Sequence, residues 1–302
     1  MTVAAPRRRQ RGVALILVIW VIALMTVLLG SFALIARTEN FEARHLFDGT
    51  TARYAAEAGL ERAVYELRNP DPATRWVGDG RPYEFDFDNA HLRVEITDES
   101  GKIDINTADE TLLQALFVSV GVDAERAAAL ADAVIDWRDP DDLPRPHGAE
   151  ANEYRAAGLA YVPRNAPFQT TSEVQQVLGM NYELYSRIEP AITIYGSGGQ
   201  PNAAYAPLEA LRALPGMSEE LARQLIEARQ QVPPGQPLAG LTLPDGTPVV
   251  ANAGGNTYTI RSRATLASGV RAVIDASVRL AGVSAGGRPY TVLRWRDDEV
   301  SR

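Results

Sequence analysis

Cysteine is absent from the 302 residues, which excludes disulfides, thiolate-bound zinc and thiol nucleophiles. Lysine occurs once, at Lys102, so a phosphate-binding P-loop and a Schiff-base lysine are excluded as well. Histidine is confined to the scattered His45, His91 and His147. There is no H-E-x-x-H, no nucleophile elbow and no dinucleotide glycine fingerprint. The residues therefore point away from an enzyme, and any external domain must be held by packing or by a metal ion. Positive charge is scarce and uneven. Formal net charge is -8, yet Arg7, Arg8, Arg9 and Arg11 stand in residues 1–12 with no acid among them. Without these four, 26 basic side chains face 38 acidic ones, a net of -12. An acidic body of this kind repels nucleic acid and attracts cations.

Apolar residues are plentiful, at 46%, enough to build a core, and the length suggests about two domains. Residues 13–36, VALILVIWVIALMTVLLGSFALIA, carry no charge. As a helix they reach roughly 36 Å, against ~30 Å for a bilayer core. Arginines just before the run keep its start cytoplasmic and place the body outside. A cleaved secretory signal fits less well, because the run is long and no A-x-A site follows it; a plain membrane anchor is the alternative. Residues 37–68 continue in helix-rich composition and end before Asn69-Pro70. Ala52, Ala56, Leu60, Val64 and Leu67 recur at spacings of three and four, which predicts an amphipathic half after an apolar one.

Residues 83–98 alternate apolar and polar as YEFDFD and HLRVEITD about Asn89-Ala90, a hairpin pattern. Residues 257–280 predict a second hairpin and 290–296 a last strand. The middle, 101–250, is helical in pattern: TADETLLQALFVSV, DAERAAALADAVIDWR, TSEVQQVLGM, YELYSRI, PLEALRALPG and SEELARQLIEARQ. Residues 196–207 and 232–256 are Gly/Pro/Asn-rich loops. Strands on either side of a helical stretch imply an α+β fold with a domain inserted in the sheet.

Two motifs stand in the insert. Leu211-Arg-Ala-Leu-Pro-Gly216-Met-Ser-Glu-Glu and the stretch from Asn106 through Gly121 to Arg138 each look like a helix-hairpin-helix. Such motifs hold nucleic-acid phosphates on the amides of an open Gly-x-Gly turn. Here the second glycine is Asp123 or Ser218, followed by Glu125 or by Glu219 and Glu220, so structural hairpins are expected. The second motif is an acidic loop, with Asp136, Asp139, Asp141, Asp142 and Glu150 within 15 residues. Pro140, Pro144 and Pro146 stiffen it, and Arg138 and Arg145 do not balance it. Calcium takes six to eight oxygens, whereas zinc wants His or Cys and only His147 is near. The spacing is not that of an EF-hand, and the pattern alone leaves a calcium site and a solvated acidic loop both open.

The N-terminus adds a resemblance. A short basic leader ending in Gly12, with the apolar run starting at Val13, resembles a type IV prepilin leader, cut after the glycine by a prepilin peptidase. Pilins carry glutamate at the fifth mature position, which here is Leu17. That missing glutamate, the segment ARYAAEAGLERA, the helical insert and the D-W-x-D-x-D…G-A-E stretch together resemble the minor pseudopilin K family of bacterial type II secretion. The resemblance implies a pilin-like fold: leader 1–12, long helix 13–68 with its membrane span at 13–36, β part at 69–100 and 256–302. The helical insert at 101–255 would carry helix-hairpin-helix or SAM-like repeats. It implies a non-enzymatic subunit, methylated at its new N-terminus and anchored once in the inner membrane with its body periplasmic. Such a subunit initiates or caps the pseudopilus tip and aids export of folded proteins.

Its implied partners are the I-, J- and H-type minor pseudopilins through N-terminal helices, with Gly30, Ser31 and Ala33 as small contact residues. The prepilin peptidase, and secreted substrates or the secretin, are implied as well, and nucleic acid is not. Structural calcium on Asp136, Asp139, Asp141, Asp142 and Glu150 is implied too. The alternatives are a membrane-anchored helix-hairpin-helix DNA receptor and a minor pilin of a type IV pilus.

Overall fold

A computed structural model describes residues 13–196, 198–251, 254–282 and 287–301. The expected leader with Gly12 lies outside the described residues, and Val13 is described only as the first residue of a helix. The chain divides into two units, Met1–Thr51 and Ala52–Arg302.

The first unit is helical throughout its described part, within α1 (Val13–Leu67). No charge or proline interrupts it before Arg37. Its few polar side chains turn back onto the helix: the hydroxyl of Thr26 donates to the Ile22 carbonyl (2.8 Å) and that of Ser31 to Val27 (3.0 Å). Hydroxyls satisfied in this way can sit in hydrocarbon without an unpaired donor. Large apolar side chains from Leu15 to Ile35 are exposed all round, and α1 is long and apolar enough to cross a membrane by length and composition.

In the second unit α1 becomes one-sided. Ala52, Ala56, Leu60, Ala63, Val64 and Leu67 are buried against an antiparallel sheet of order β1-β2-β5-β6-β7. The strands are β1 (Asp79–Phe87), β2 (Ala90–Asp98), β5 (Thr257–Leu266), β6 (Arg271–Leu280) and β7 (Tyr290–Ser301). Small residues let helix and sheet approach closely. A methyl on Gly59 would stand 2.2 Å from the Ser262 hydroxyl. Alternation fills the core from every strand of the centre: Leu92, Val94 and Ile96 on β2, Ile260 and Ala264 on β5, Ile274, Ala276 and Val278 on β6.

The first hairpin turns one residue earlier than the alternation suggests. Asp88 takes φ +53, which a short polar side chain tolerates, and Ala90 joins the ladder opposite Phe87 and Leu266, buried. The last strand runs past the expected 296 to Ser301.

The insert interrupts a continuous antiparallel pair, since β2 and β5 run in register from Ala90↔Leu266 to Asp98↔Tyr258. Its two ends are therefore neighbours. The two-residue β3 (Ile103–Asp104) and β4 (Ile192–Thr193) pair in parallel. The helices are α2 (Glu110–Ser119), α3 (Ala124–Arg138), α4 (Ala151–Ala156), α5 (Tyr182–Ile188), α6 (Leu208–Arg212) and α7 (Glu219–Gln231). Asp109, Asp123, Asn181 and Ser218 cap α2, α3, α5 and α7 through side-chain oxygens. They enclose a second core around Leu113, Phe117, Leu130, Trp137, Tyr154 and Leu211.

The pattern TSEVQQVLGM does not make an α-helix. Only a 3-10 segment forms over Thr171–Gln176, because the Glu173 carboxylate is drawn into local bonds from the Gln169 amide (2.9 Å) and the Trp137 indole (3.2 Å). The lone lysine anchors the base of the insert: Lys102 Nζ lies 2.6 Å from Glu99 Oε1, which also accepts from the Thr259 hydroxyl.

Candidate metal centre at the end of α3

Asp132 and Asp136 are one turn apart on α3 and both are buried. Their surroundings differ. Asp132 is satisfied: Arg145 Nε donates to it at 2.8 Å and the His147 amide at 3.1 Å. Asp136 is 0% exposed. Its Oδ2 accepts the Arg145 amide (3.2 Å), and its Oδ1 has no partner. One turn of chain further, Asp139 caps α3 with its Oδ1 buried and unpartnered. Glu150, 3% exposed, opens α4. Its backbone amide donates to Glu153 (2.9 Å), while both of its own carboxylate oxygens are buried without a donor.

Four of the eight buried, unpartnered side-chain polar atoms among the described residues thus belong to three carboxylates of this loop. Leaving buried acceptors unpaired is costly, so their concentration here sets this loop apart from the rest of the core.

The electrostatics agree. Glu150 is pushed up to about 7, chiefly by burial and then by repulsion from Asp136, Asp139, Asp142 and Asp141. Asp136 is pushed up to about 6, chiefly by burial, with Asp139 and Asp132 adding repulsion. Asp139 is raised by burial and by Asp141. The five expected residues therefore act on one another as one cluster, with Asp136, Asp139 and Glu150 inside and the exposed Asp141 and Asp142 at the rim. Asp141 Oδ1 accepts the Leu143 amide (2.9 Å), and Asp142 Oδ1 accepts Asn165 Nδ2 (2.8 Å).

Nearby cations do not neutralise the inner group. Arg138 turns away to the carbonyls of Ile105 and Ala108, and Arg145 is taken by Asp132 and Glu110. Gly148 permits the fold of the loop: a Cβ there would stand 1.9 Å from Asp136 Oδ2.

The donor set is all oxygen. It suits a hard cation such as calcium and not zinc, since His147 lies beside Asp132, with Nδ1 at 3.5 Å. Among the described residues no group of three His, Asp or Glu side chains is gathered tightly enough to hold an ion by itself. Side-chain rotation or backbone carbonyls must complete any coordination sphere.

Two neighbours of the cluster escape a reading by sequence. Asp132 carried a signal, its i, i+4 spacing to Asp136 on the buried face of α3. Asn165 carried none.

The two hairpin turns contain Gly121 (φ +93) and Gly216 (φ +71). In each, the residue at the second-glycine position is spent as a helix cap: Asp123 accepts the Arg126 amide (3.0 Å) and Ser218 the Leu221 amide (3.2 Å). Within the turns, the Gly121 amide donates to the Val118 carbonyl (3.0 Å) and the Met217 amide to the Leu214 carbonyl (3.2 Å), next to Glu125, Glu219 and Glu220.

Residues 90–197, from β2 past the acidic loop to β4, match the family model described as type II secretion system protein K. Type II secretion system protein K of Pseudomonas aeruginosa is 29% identical over 251 residues, covering 74% of this chain and 73% of that protein. The protein of the same name from Klebsiella pneumoniae is 27% identical over 205 residues, covering 61% of this chain and 62% of that one. The chain thus spans under two thirds of the Klebsiella relative. In fold, it matches a chain of the GspK-GspI-GspJ complex from enterotoxigenic Escherichia coli. The TM-score is 0.53 at 19% identity, over 87% of this chain and 99% of that one. The fold is pilin-like α+β, and the chain is similar to type II secretion system protein K.

Proposed function

We propose that this protein is a minor pseudopilin of a type II secretion system, a structural subunit at the tip of a periplasmic pseudopilus that starts or caps assembly and aids export of folded proteins. The observation that carries the reading is the architecture. An apolar helix runs into an amphipathic one laid on an antiparallel sheet, and a helical insert opens between the paired β2 and β5. This arrangement supports a membrane anchor followed by a folded body.

Leu17, exposed on α1, offers no carboxylate to a subunit above it, which is consistent with a terminal position; a carboxylate in the membrane is costly and is kept only for a partner. The relevant partners are the I-, J- and H-type minor pseudopilins, and a solved structural neighbour is a complex of this kind. Prepilin peptidase cleavage after Gly12 with methylation of Val13, an inner-membrane anchor with the N-terminus cytoplasmic, and contact with secreted substrates or the secretin complete the proposal. A DNA receptor is disfavoured by the hairpin turns, where the Gly121 and Met217 amides are already used within the chain and carboxylates follow. Calcium is the ion of the α3 loop, held by Asp136, Asp139 and Glu150 with Asp141 and Asp142 at the rim. It supplies positive charge to a cluster that is otherwise self-repelling, and so acts on structure and not on bond chemistry.

Co-expression with the H-, I- and J-type pseudopilins of the same genome, followed by membrane extraction, tests the reading. The chain is expected to purify with the I- and J-type subunits as one complex through a sizing column. Extraction of the chain alone, with those subunits present and processed, would sink the proposal.

A further inference from the structure

We infer that Asn165 is the positioning residue of the acidic loop, holding its rim carboxylates near the buried ones before a cation arrives; this rests on the calcium reading above. Asn165 is distant in sequence from the loop yet bound to it three ways. Its backbone amide donates to the Trp137 carbonyl in the last turn of α3 (3.0 Å). Its Nδ2 donates to the Asp141 carbonyl (2.9 Å) and to Asp142 Oδ1 (2.8 Å). One residue thus ties the helix end, through its backbone amide, to the rim, through its side chain.

The backbone conformation is unusual. Asn165 has φ +52, and among the described residues the only other non-glycine with positive φ is Asp88 in the first hairpin turn. Asparagine enters this region more readily than most residues. Glycine would enter it without strain but has no donor, and aspartate would place an acceptor against Asp142. Asparagine alone among these three meets both demands.

The physical need is clear from the charges. Asp139, Asp141 and Asp142 lie within four residues of chain and carry like charge, so an unrestrained rim would swing outward and the ion would have to gather it. A neutral donor that restrains the rim adds no competing positive charge. Partners of metal ligands that act in this way typically change affinity 10- to 100-fold when removed.

The test is calcium titration of the full chain in detergent, read by calorimetry, together with thermal unfolding in chelator. Asn165→Gly removes the donors and keeps the backbone, and Asn165→Ala removes them while keeping a Cβ; two variants guard against misfolding of either. Both are expected to bind calcium about 10-fold more weakly, with the ion-free unfolding temperature of Asn165→Gly close to wild type and that of Asn165→Ala somewhat lower, because a Cβ is strained at this φ. Wild-type affinity in both variants would overturn the positioning role and leave the calcium site standing. An equal drop in ion-free and ion-bound stability with unchanged affinity would reduce Asn165 to a structural residue. Absence of calcium binding by the wild-type chain would instead overturn the calcium reading itself.

Discussion

Millimolar calcium should raise the unfolding temperature of the protein by on the order of 10 °C, and chelator should reverse the gain. An ion that binds only the folded chain, at about 1,000 times its Kd, stabilises by about 4 kcal/mol. Each kcal/mol shifts the midpoint of a body this size by about 2–4 °C. Glu150→Gln should abolish most of the effect, because both oxygens of Glu150 are buried without a donor. The same substitution should leave the chelated protein as stable as wild type or more so, since it removes a charge that four neighbouring aspartates oppose.

The pH dependence gives the same account a sign. In the ion-free fold Glu150 sits at about 7 and Asp136 at about 6, above their ordinary 4.5 and 3.8. The folded chain then holds these protons more tightly than the unfolded one. Stability from them is full below the ordinary carboxylate range and is lost as pH rises through about 6 to 7. Chelated protein should therefore weaken between about pH 4 and 7, and calcium should bind more tightly over the same interval as it displaces the protons. Flat stability in chelator across that range, or no response to calcium at pH 7.5, would contradict this.

Arg229→Ala should cost about 3–5 kcal/mol, an effect of the size seen when one partner leaves a buried charged network. Arg229 is 2% exposed. It donates to the carbonyls of Ala203 (2.7 Å) and Asp79 (3.0 Å), and its own carbonyl accepts from Arg81 Nη2 (3.1 Å), which also grips the Asp79 carboxylate (2.7 Å). Burial lowers its pKa to about 10, so it remains a cation at neutral pH. The bonds run from α7 of the insert to β1 of the sheet, hence truncation leaves two buried carbonyls unpaired and loosens the insert where it meets the sheet. Limited proteolysis in the 232–256 loop should speed up in parallel. Arg223→Ala on the same helix, an exposed i, i+4 partner of Glu219, should leave unfolding nearly unchanged. Equal behaviour of the two variants would show that Arg229 does not join the insert to the sheet.

Much of this was legible in the residues. HLRVEITD reads as a half-buried strand because α1 covers one face of the sheet, and alternation records that burial directly. Asp123 and Ser218 read as helix starts because an N-cap is a local bond between neighbours in sequence. The acidic loop was legible as chemistry, yet the pattern alone left a solvated loop open. That four of its oxygens are buried without donors is a tertiary fact. TSEVQQVLGM misled because composition does not record that Glu173 serves the Trp137 indole and the Gln169 amide. Asn165 stayed hidden for a similar reason: its contacts lie 23 and 24 residues away and its left-handed backbone has no local mark. The shift of the first turn to Asp88 came from burial of Ala90, which alternation could assign to either side. The leader, outside the described residues, stands on sequence alone.

The central claim, that this is a pilin-class subunit, is met most directly by the mass of the membrane-extracted protein made with and without a prepilin peptidase. The account predicts loss of residues 1–12 only when the peptidase is present, with Val13 as a methylated N-terminus. An intact Met1 in both samples would contradict it.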